Sequence, residues 1–357
     1  MSHATSRNLL LFGFVALFAS MGCKEKTADT NAATTTGAQT TATVAPEPKE
    51  LTLYSGRSEA LVAPLIEKFE KSSGITVKVK YGGSGELAGT IMEEGAKSPA
   101  DVFWAQDAGT LGVLAEKGLL APLPTEITSR VADVYRAPEN TWVATSGRAR
   151  VLVYNTKEVK EEDLPKSVTD LTKPEWKGRV GWAPENASFQ AFVAAMVELE
   201  GADAAKEWVT KMQGNEPKAY PKNTPAVTAT ASGEVDVALV NHYYLLRLKA
   251  EHGADYPVAN HFFKNAKAES LVNVSGVAVL KSSDNTEAAH QFVTYLLSED
   301  AQKYFAAETY EYPVVASVPP SEGLIPLAEL NPPKVDFAKL ANLETTATLL
   351  REAEALP

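Results

Sequence analysis

From Leu51 onward, short apolar runs alternate with amphipathic helical patterns, and this alternation constrains the fold more than any other feature of the chain. The apolar run 51–54 is followed by Leu61, Leu65 and Phe69 at helical spacing, and residues 75–81 then alternate at period two. A strand, a helix and a second strand in this order predict a parallel pair covered by the helix. Further strands are predicted at 100–104, 151–154, 180–182, 235–240 and 277–280, with helices between them, and hence an α/β fold.

The first 22 residues have the parts of a secretory signal. Arg7 supplies the basic start, an apolar run follows over residues 9–19, and small residues precede Cys23. That run is too short for a membrane span, which needs about 20 apolar residues. Because Cys23 comes directly after it, the segment resembles a bacterial lipoprotein signal. We therefore predict a lipoprotein signal peptide over 1–22 and lipidation of Cys23, with a plain secretory signal as the alternative.

Residues 23–50 are predicted to form a disordered tether, because Ala, Thr and charged residues offer too little apolar surface to offset the entropy of ordering. Cys23 is the only cysteine, so disulfide bonds within the chain are excluded and the fold depends on its core. The folded part is expected to begin near Leu51. Its length of roughly 300 residues is long for one core and suits two lobes.

Composition narrows the classes of function. The chain has 45 acidic against 34 basic residues, a net charge of −11, and no run rich in Lys or Arg, which argues against a nucleic-acid partner. No Gly-x-Ser-x-Gly elbow, P-loop or His-Glu-x-x-His motif occurs. We therefore predict that the protein is not an enzyme. An extracytoplasmic hydrolase remains a third hypothesis, which turnover of generic ester or phosphate substrates would support.

Polar residues follow several of the predicted strands. Strand ends and helix N-termini meet at one edge of such a sheet, where a ligand is expected to bind. Singly, each polar residue also suits a helix cap or turn. Tyr243 and Tyr244 stand out because they closely follow the apolar strand 235–240. Neighbouring side chains point in different directions unless the chain turns sharply, so a helix starting here is needed for both rings to face one ligand, with core packing as the alternative.

Five segments are similar to those of bacterial ferric-iron-binding proteins, the solute receptors of iron ABC importers. They are Tyr54-Ser55-Gly56-Arg57-Ser58, Ala100-Asp101-Val102-Phe103-Trp104, the run from Ser146 to Tyr154, Gly181-Trp182-Ala183-Pro184 and Asn241-His242-Tyr243-Tyr244. The resemblance runs from about residue 51 to 350. It implies a periplasmic-binding-protein-like fold, with two lobes of mixed β-sheets flanked by helices and a ligand cleft between them. One lobe would comprise 51–147 and 273–357, and the other 148–272.

The same resemblance implies a ferric site built on Tyr243 and Tyr244. Many family members add a histidine and a glutamate, and the matching positions here hold Ser58 and Gln106. Both remain candidate metal-site positions, although neither is a conventional ligand. Two phenolates supply −2 against ferric +3, so carbonate, phosphate or citrate could complete the coordination of Fe(III).

The resemblance also implies a site for that anion. Its candidate residues are Asn223, Asn241, Asn186, Ala187 and Ser188. Arg57, Arg148 and Arg150 could add guanidinium groups suited to oxyanions, with salt bridges as their alternative role. Asp107 is either a replacement carboxylate or the first-turn acid of the next helix. His242 lies beside the tyrosines, but its direction along the chain is expected to point it away from the metal.

These patterns together predict a monomeric receptor, anchored by lipid on the periplasmic or extracytoplasmic face of the membrane. It would bind ferric ion, with or without a small anion, and deliver it to a membrane permease. The membrane contact would be made through the lipid only. The alternative is a receptor for a free oxyanion or small organic solute, motivated by the missing histidine and glutamate.

Overall fold

The computed structural model describes residues 49–341 and 343–356. The predicted signal peptide and Cys23 lie outside the described residues. So does the predicted tether 23–50 except for its last two residues, and Glu50 already begins the first strand. Among the described helices, none has the length and apolar character needed to cross a membrane.

The described residues form strands and helices that alternate as the sequence predicts. The strands are β1 (Glu50–Ser55), β2 (Thr76–Tyr81), β3 (Val102–Ala105), β4 (Val143–Asn155), β5 (Val180–Trp182), β6 (Lys218–Ala219), β7 (Val237–Asn241), β8 (Val258–His261) and β9 (Val272–Val279). The helices are α1 (Glu59–Ser73), α2 (Ser84–Glu94), α3 (Ala108–Glu116), α4 (Thr125–Thr128), α5 (Ala187–Glu200), α6 (Ala202–Gly214), α7 (Asn223–Ser232), α8 (Tyr243–His252), α9 (Thr286–Leu296), α10 (Glu299–Tyr304) and α11 (Leu343–Glu352).

Strand pairing is mixed. In the first sheet β1 lies between β2 and β3 in parallel, and β9 runs antiparallel to β3. In the second sheet β5 is parallel to both β6 and β7, while β7 and β8 run antiparallel to β4. The order along the whole path is β2-β1-β3-β9-β4-β7-β5-β6. The parallel pairs are those joined through helices, as the sequence pattern requires.

Strand β4 takes part in both sheets. Its first part, 143–149, pairs with β9, whereas residues 150–155 pair with β7 and β8. The strand is much longer than the predicted 151–154. Its polar first half stays in the sheet because the buried Thr145 hydroxyl accepts a hydrogen bond from the Trp104 indole at 3.0 Å. The division into lobes at 147/148 and 272/273 stays a prediction.

Helices cover both sheets, and aromatic side chains form the centre of each packed region. Next to the first sheet, Phe292 packs edge-on against Phe69 and Trp104. Next to the second, Trp182 packs on Phe189, and Trp208 on Phe192, each with ring centroids 5.5 Å apart. Such pairs contribute about 0.5–1.5 kcal/mol each beyond their area burial.

The C-terminal segment packs against α3 and also against α5 and α6. Ala338 lies so close to α3 that a Cβ at Gly112 would be 2.5 Å from the Ala338 Cβ. Lys339 then pairs with Glu198 of α5 at 2.7 Å, and α11 packs against α5 and α6. The predicted first lobe includes 273–357, yet α11 contacts helices of the predicted second lobe.

Candidate metal and anion site

Tyr243 and Tyr244 are held together by the start of α8. Strand β7 ends at Asn241 and the helix begins at Tyr243, so the chain turns sharply where the two rings leave it. Their centroids are 4.3 Å apart with 30° between the planes. Tyr243 is buried, and the Arg247 guanidinium lies 4.6 Å from its ring centroid, one turn along the helix. The local fold therefore brings two neighbouring phenols to one place.

The phenol of Tyr243 is protonated in this site at neutral pH. Burial raises the pKa of Tyr243 above its ordinary value, and the neighbouring Tyr244 raises it further. The Arg148 charge acts in the opposite direction but does not outweigh these two effects. A cation that binds to the Tyr243 oxygen must therefore displace a proton.

Arg150 is a fully buried cation beside the tyrosine pair. Its guanidinium donates to the Leu239 carbonyl at 2.8 Å and lies 5.4 Å from the ring centroids of Phe189 and Phe192. Burial lowers the pKa of Arg150 to about 9, against the opposing influence of the two tyrosines. Within the described residues it forms no salt bridge with a carboxylate, and its Nε has no hydrogen-bond partner. A buried positive charge without a negative partner favours an anion nearby.

A cluster of amides and one hydroxyl lies next to Arg150. Asn186 caps α5 and accepts from the Ser188 hydroxyl at 2.6 Å. Asn223, buried at the start of α7, donates to Ser188 at 3.2 Å. The Arg150 guanidinium reaches the Asn241 amide oxygen at 3.4 Å and Ser188 at 3.5 Å. The structure thus brings these four predicted anion-site residues together, at the N-termini of two helices and the end of β7.

A second group of charged residues surrounds Glu311, which the sequence analysis did not identify. Arg57 donates to both carboxylate oxygens, at 3.1 and 2.8 Å, and the Ser146 hydroxyl donates at 2.6 Å. Both Arg57 and Glu311 are 1% exposed. Although burial alone would raise the pKa of the Glu311 carboxyl, the Arg57 and Arg148 guanidinium groups outweigh it and hold the pKa below its usual range. For Arg57, the salt-bridge alternative therefore describes the structure.

Ser58 and Gln106, the positions at which the resemblance implies a histidine and a glutamate, differ in their surroundings. Ser58 is exposed at the start of α1 and makes no side-chain capping bond. Gln106 is engaged on both sides, because its amide oxygen accepts from Arg57 at 2.7 Å and its backbone oxygen accepts from Arg148. Asp107 caps α3 by accepting from the Thr110 backbone at 3.1 Å. Ala187 is exposed in the first turn of α5 and offers no polar side chain.

His242 is committed to the protein rather than to a ligand. Its Nδ1 accepts from the Ala149 backbone N–H at 3.1 Å, and its Nε2–H donates to the Tyr310 carbonyl at 2.8 Å. Burial lowers the pKa of His242 to about 4, so the ring is neutral at physiological pH. With both nitrogens occupied, the imidazole has no lone pair free for a metal.

The site carries more positive than negative charge. Arg57 and Glu311 neutralise each other, whereas Arg148 and Arg150 form no salt bridge among the described residues. Within 49–341 and 343–356, no group of three or more His, Cys, Asp or Glu side chains could hold a metal ion. Any hard cation bound here would depend on phenolates and on oxygens that a second ligand supplies.

Residues 54–303 match the family model described as bacterial extracellular solute-binding protein. The chain belongs to this family. A relative from Neisseria meningitidis serogroup B, the major ferric iron-binding protein, is 37% identical to the solute-binding protein described here, over 85% of this chain and 92% of the relative.

Solved structures confirm the periplasmic-binding-protein-like fold. Iron-bound HitA from Pseudomonas aeruginosa is 40% identical to this solute-binding protein, with a TM-score of 0.76 over 86% of this chain and 99% of HitA. FutA (IdiA) from Trichodesmium, in complex with iron and citrate, is 30% identical, with a TM-score of 0.74 over 85% of this chain and 99% of FutA.

Three features of the site of this solute-binding protein left little or no signal in the sequence. Glu311 lies in an irregular segment after α10, where no periodic pattern indicates a buried side chain. Arg247 has a weak signal, because it follows Tyr243 at i+4 on a predicted helix face. The role of His242 depends on contacts more than 60 residues away along the chain, which spacing does not reveal.

Proposed function

We propose that this chain is the solute receptor of an ABC importer and that its cargo is ferric ion. The observation that carries the proposal is the pair of neighbouring phenols at the start of α8, with ring centroids 4.3 Å apart, beside the buried Arg150, which forms no salt bridge with any of the described residues. Phenolate oxygens are hard donors suited to a trivalent cation. The relatives named for ferric iron, and the structures solved with iron, support the same cargo.

The charge of the site supports an accompanying anion. Ferric ion adds +3 to the charges of Arg148 and Arg150, and two phenolates return −2. A multivalent oxyanion such as carbonate, phosphate or citrate would lower the remaining charge and fill coordination positions. It would bind between the metal and the cluster of Asn186, Ser188 and Asn223, with Arg150 as its fixed countercharge.

Gln106 and Ser58 have a smaller part in this proposal. The Gln106 amide oxygen already accepts from Arg57, and Ser58 is an exposed residue. The ferric ion would therefore be held by Tyr243, Tyr244 and the anion. The alternative cargo, a free oxyanion or organic solute, is not favoured, because it leaves the two phenols without a role.

A visible absorption band from phenolate to iron tests the cargo. Protein loaded with ferric citrate, ferric phosphate or ferric carbonate is expected to show this band in at least one of the three loadings. Tyr243→Phe and Tyr244→Phe are each expected to weaken it, and the double variant to abolish it. Tyr220→Phe is the matched control, since that phenol bonds to Glu234 at 3.0 Å and has no part in the site. No band with any anion, or a band that persists in the double variant, would refute the ferric cargo.

We also propose export, removal of residues 1–22 and acylation of Cys23, which would place the receptor on the outer side of a membrane. A monomer held at that membrane by its lipid would deliver its cargo to the permease. Mass spectrometry of the protein purified from membranes is expected to find an acylated N-terminal Cys23. An unmodified cysteine, or a different first residue, would contradict the anchor.

A further inference from the structure

The turn Tyr310–Tyr312 is fixed firmly to one side of the site. Tyr312 exchanges two backbone hydrogen bonds of 2.8 Å with Gly147 of β4. Between these residues, the Glu311 carboxylate accepts from Arg57 and Ser146. Tyr310 has a φ of 57°, a left-handed conformation that a non-glycine residue adopts only when its surroundings hold it there.

His242 joins this turn to the helix that carries the tyrosines. Its Nε2–H donates to the Tyr310 carbonyl at 2.8 Å, and its ring lies 4.7 Å from the Tyr312 ring centroid. On the opposite side of the ring, Nδ1 accepts from Ala149 of β4. The imidazole is completely buried, and it lies nearly perpendicular to the Tyr243 ring with the two centroids 5.7 Å apart. A second, longer bond runs from Arg247 of α8 to the Thr309 carbonyl at 3.4 Å.

We propose that His242 is a positioning residue for ferric binding, which sets the first turn of α8, and so the two phenol oxygens, relative to the Tyr310–Tyr312 turn. The inference rests on the proposed ferric cargo. Three contacts hold the His242 ring in place: the Ala149 backbone N–H, the Tyr310 carbonyl and the Tyr312 ring. Because Tyr243 follows His242 directly in the chain, contacts that hold the imidazole in place also restrain the backbone from which the first phenol projects.

The same contacts connect the phenols to the Arg57 side of the site. The Tyr310 carbonyl that accepts from His242 is one residue from Glu311, whose carboxylate holds Arg57, and Arg57 in turn holds Gln106. Residues that orient a metal ligand from outside the coordination sphere commonly change metal affinity by about 10–100-fold when they are replaced. We expect an effect of that size from His242, although it touches no metal.

The experiment compares ferric-loaded parent protein with three variants. His242→Phe keeps a ring but loses both hydrogen bonds, and His242→Gln keeps a donor and an acceptor on a flexible side chain. His261→Phe is the control, because His261 also donates through Nε2 to a carbonyl, that of Pro165 at 3.0 Å, while its ring contact among the described residues is with Phe263 and not with Tyr243 or Tyr244. The readouts are the wavelength and intensity of the phenolate-to-iron band and the rate of iron loss to excess EDTA.

His242→Phe is expected to shift the band and to accelerate iron loss by about 10–100-fold. His242→Gln should fall between this variant and the parent, and His261→Phe should stay within about twofold of the parent rate. If His242→Phe does not fold, His242→Gln decides the matter by the same two readouts. A normal band and normal release rate in the folded His242 variants would overturn the positioning role while leaving the ferric cargo intact. A parent protein without the band would instead refute the ferric cargo, and the positioning role with it.

Discussion

Replacement of Glu311 by glutamine would test whether the buried ion pair holds the site together. The variant leaves the Arg57 charge buried with neutral acceptors only, and both side chains of the pair are almost completely inaccessible. Removing one partner of such a pair commonly costs about 3–5 kcal/mol. With an unfolding entropy of about 2.1 cal/mol/K per residue over roughly 300 folded residues, this corresponds to a Tm lower by about 5–8 °C.

Denaturant unfolding and calorimetry of metal-free protein would measure this loss. Glu50→Gln is the matched control, because Glu50 pairs with Lys78 at 2.6 Å on the surface, where the same change should cost less than about 1 kcal/mol. A double variant, Arg57→Met with Glu311→Met, should recover much of the stability, because neither buried charge remains. If Glu311→Gln loses no more stability than Glu50→Gln, the buried pair does not stabilise the fold as argued.

The same carboxylate predicts a pH dependence. The folded pKa of Glu311 lies below its usual value, so its contribution is fully present above the unfolded carboxyl pKa of about 4.3. The contribution is lost as the pH falls through the folded pKa. The stability difference between the parent and Glu311→Gln should therefore shrink below about pH 4.

Three further predictions concern the phenols, Arg150 and the C-terminal segment. Loading with ferric citrate in weak buffer should release one proton for each of Tyr243 and Tyr244, which a pH-stat would measure. Each single Tyr→Phe variant should therefore release one proton fewer than the parent. Equal proton release by parent and variants would contradict phenolate binding. Arg150→Met should fold with a Tm no lower than that of the parent, because a buried charge without a salt bridge among the described residues is removed. The variant should nevertheless lose ferric ion to EDTA at least about tenfold faster than the parent. An unchanged rate of iron loss would exclude the countercharge role of Arg150. Gly112→Ala should cost about 1–3 kcal/mol, because the new Cβ would lie 2.5 Å from the Ala338 Cβ, and should speed proteolysis of the C-terminal segment. Gly89→Ala in α2, where a new Cβ would meet no atom within 4 Å, should do neither.

Periodicity predicted the parts of the fold that depend on local pattern. Strands at β1, β2 and β5 fall close to the predicted ranges because their apolar residues are continuous or alternate at period two. The first half of β4 was missed, because Thr145, Ser146 and Arg148 resemble a loop and are satisfied only by partners distant in sequence. Burial of polar residues through such long-range bonds leaves no local signal.

The candidate site shows the same contrast. Local pattern indicates a strand end followed by a helix start at Tyr243 and Tyr244, and a strand-to-helix junction at Asn186–Ser188. The binding roles of these residues came from the family resemblance and stay predictions. The engagement of Gln106 by Arg57, the two bonds of His242 and the buried Glu311 all join residues far apart in the chain. These contacts determine which candidate side chains are available to bind a ligand, and only the three-dimensional structure reveals them.

Strand β4 has a consequence for how such a molecule can be assembled from pieces. One continuous segment, Val143–Asn155, forms backbone hydrogen bonds in both sheets. If either half of the protein were excised with this strand, the other half would lose a strand of its own sheet. A chimera that borrows the tyrosine half from another receptor must keep β4 matched to β9 on one side and to β7 and β8 on the other. A recombination break inside β4 would leave both sheets incomplete.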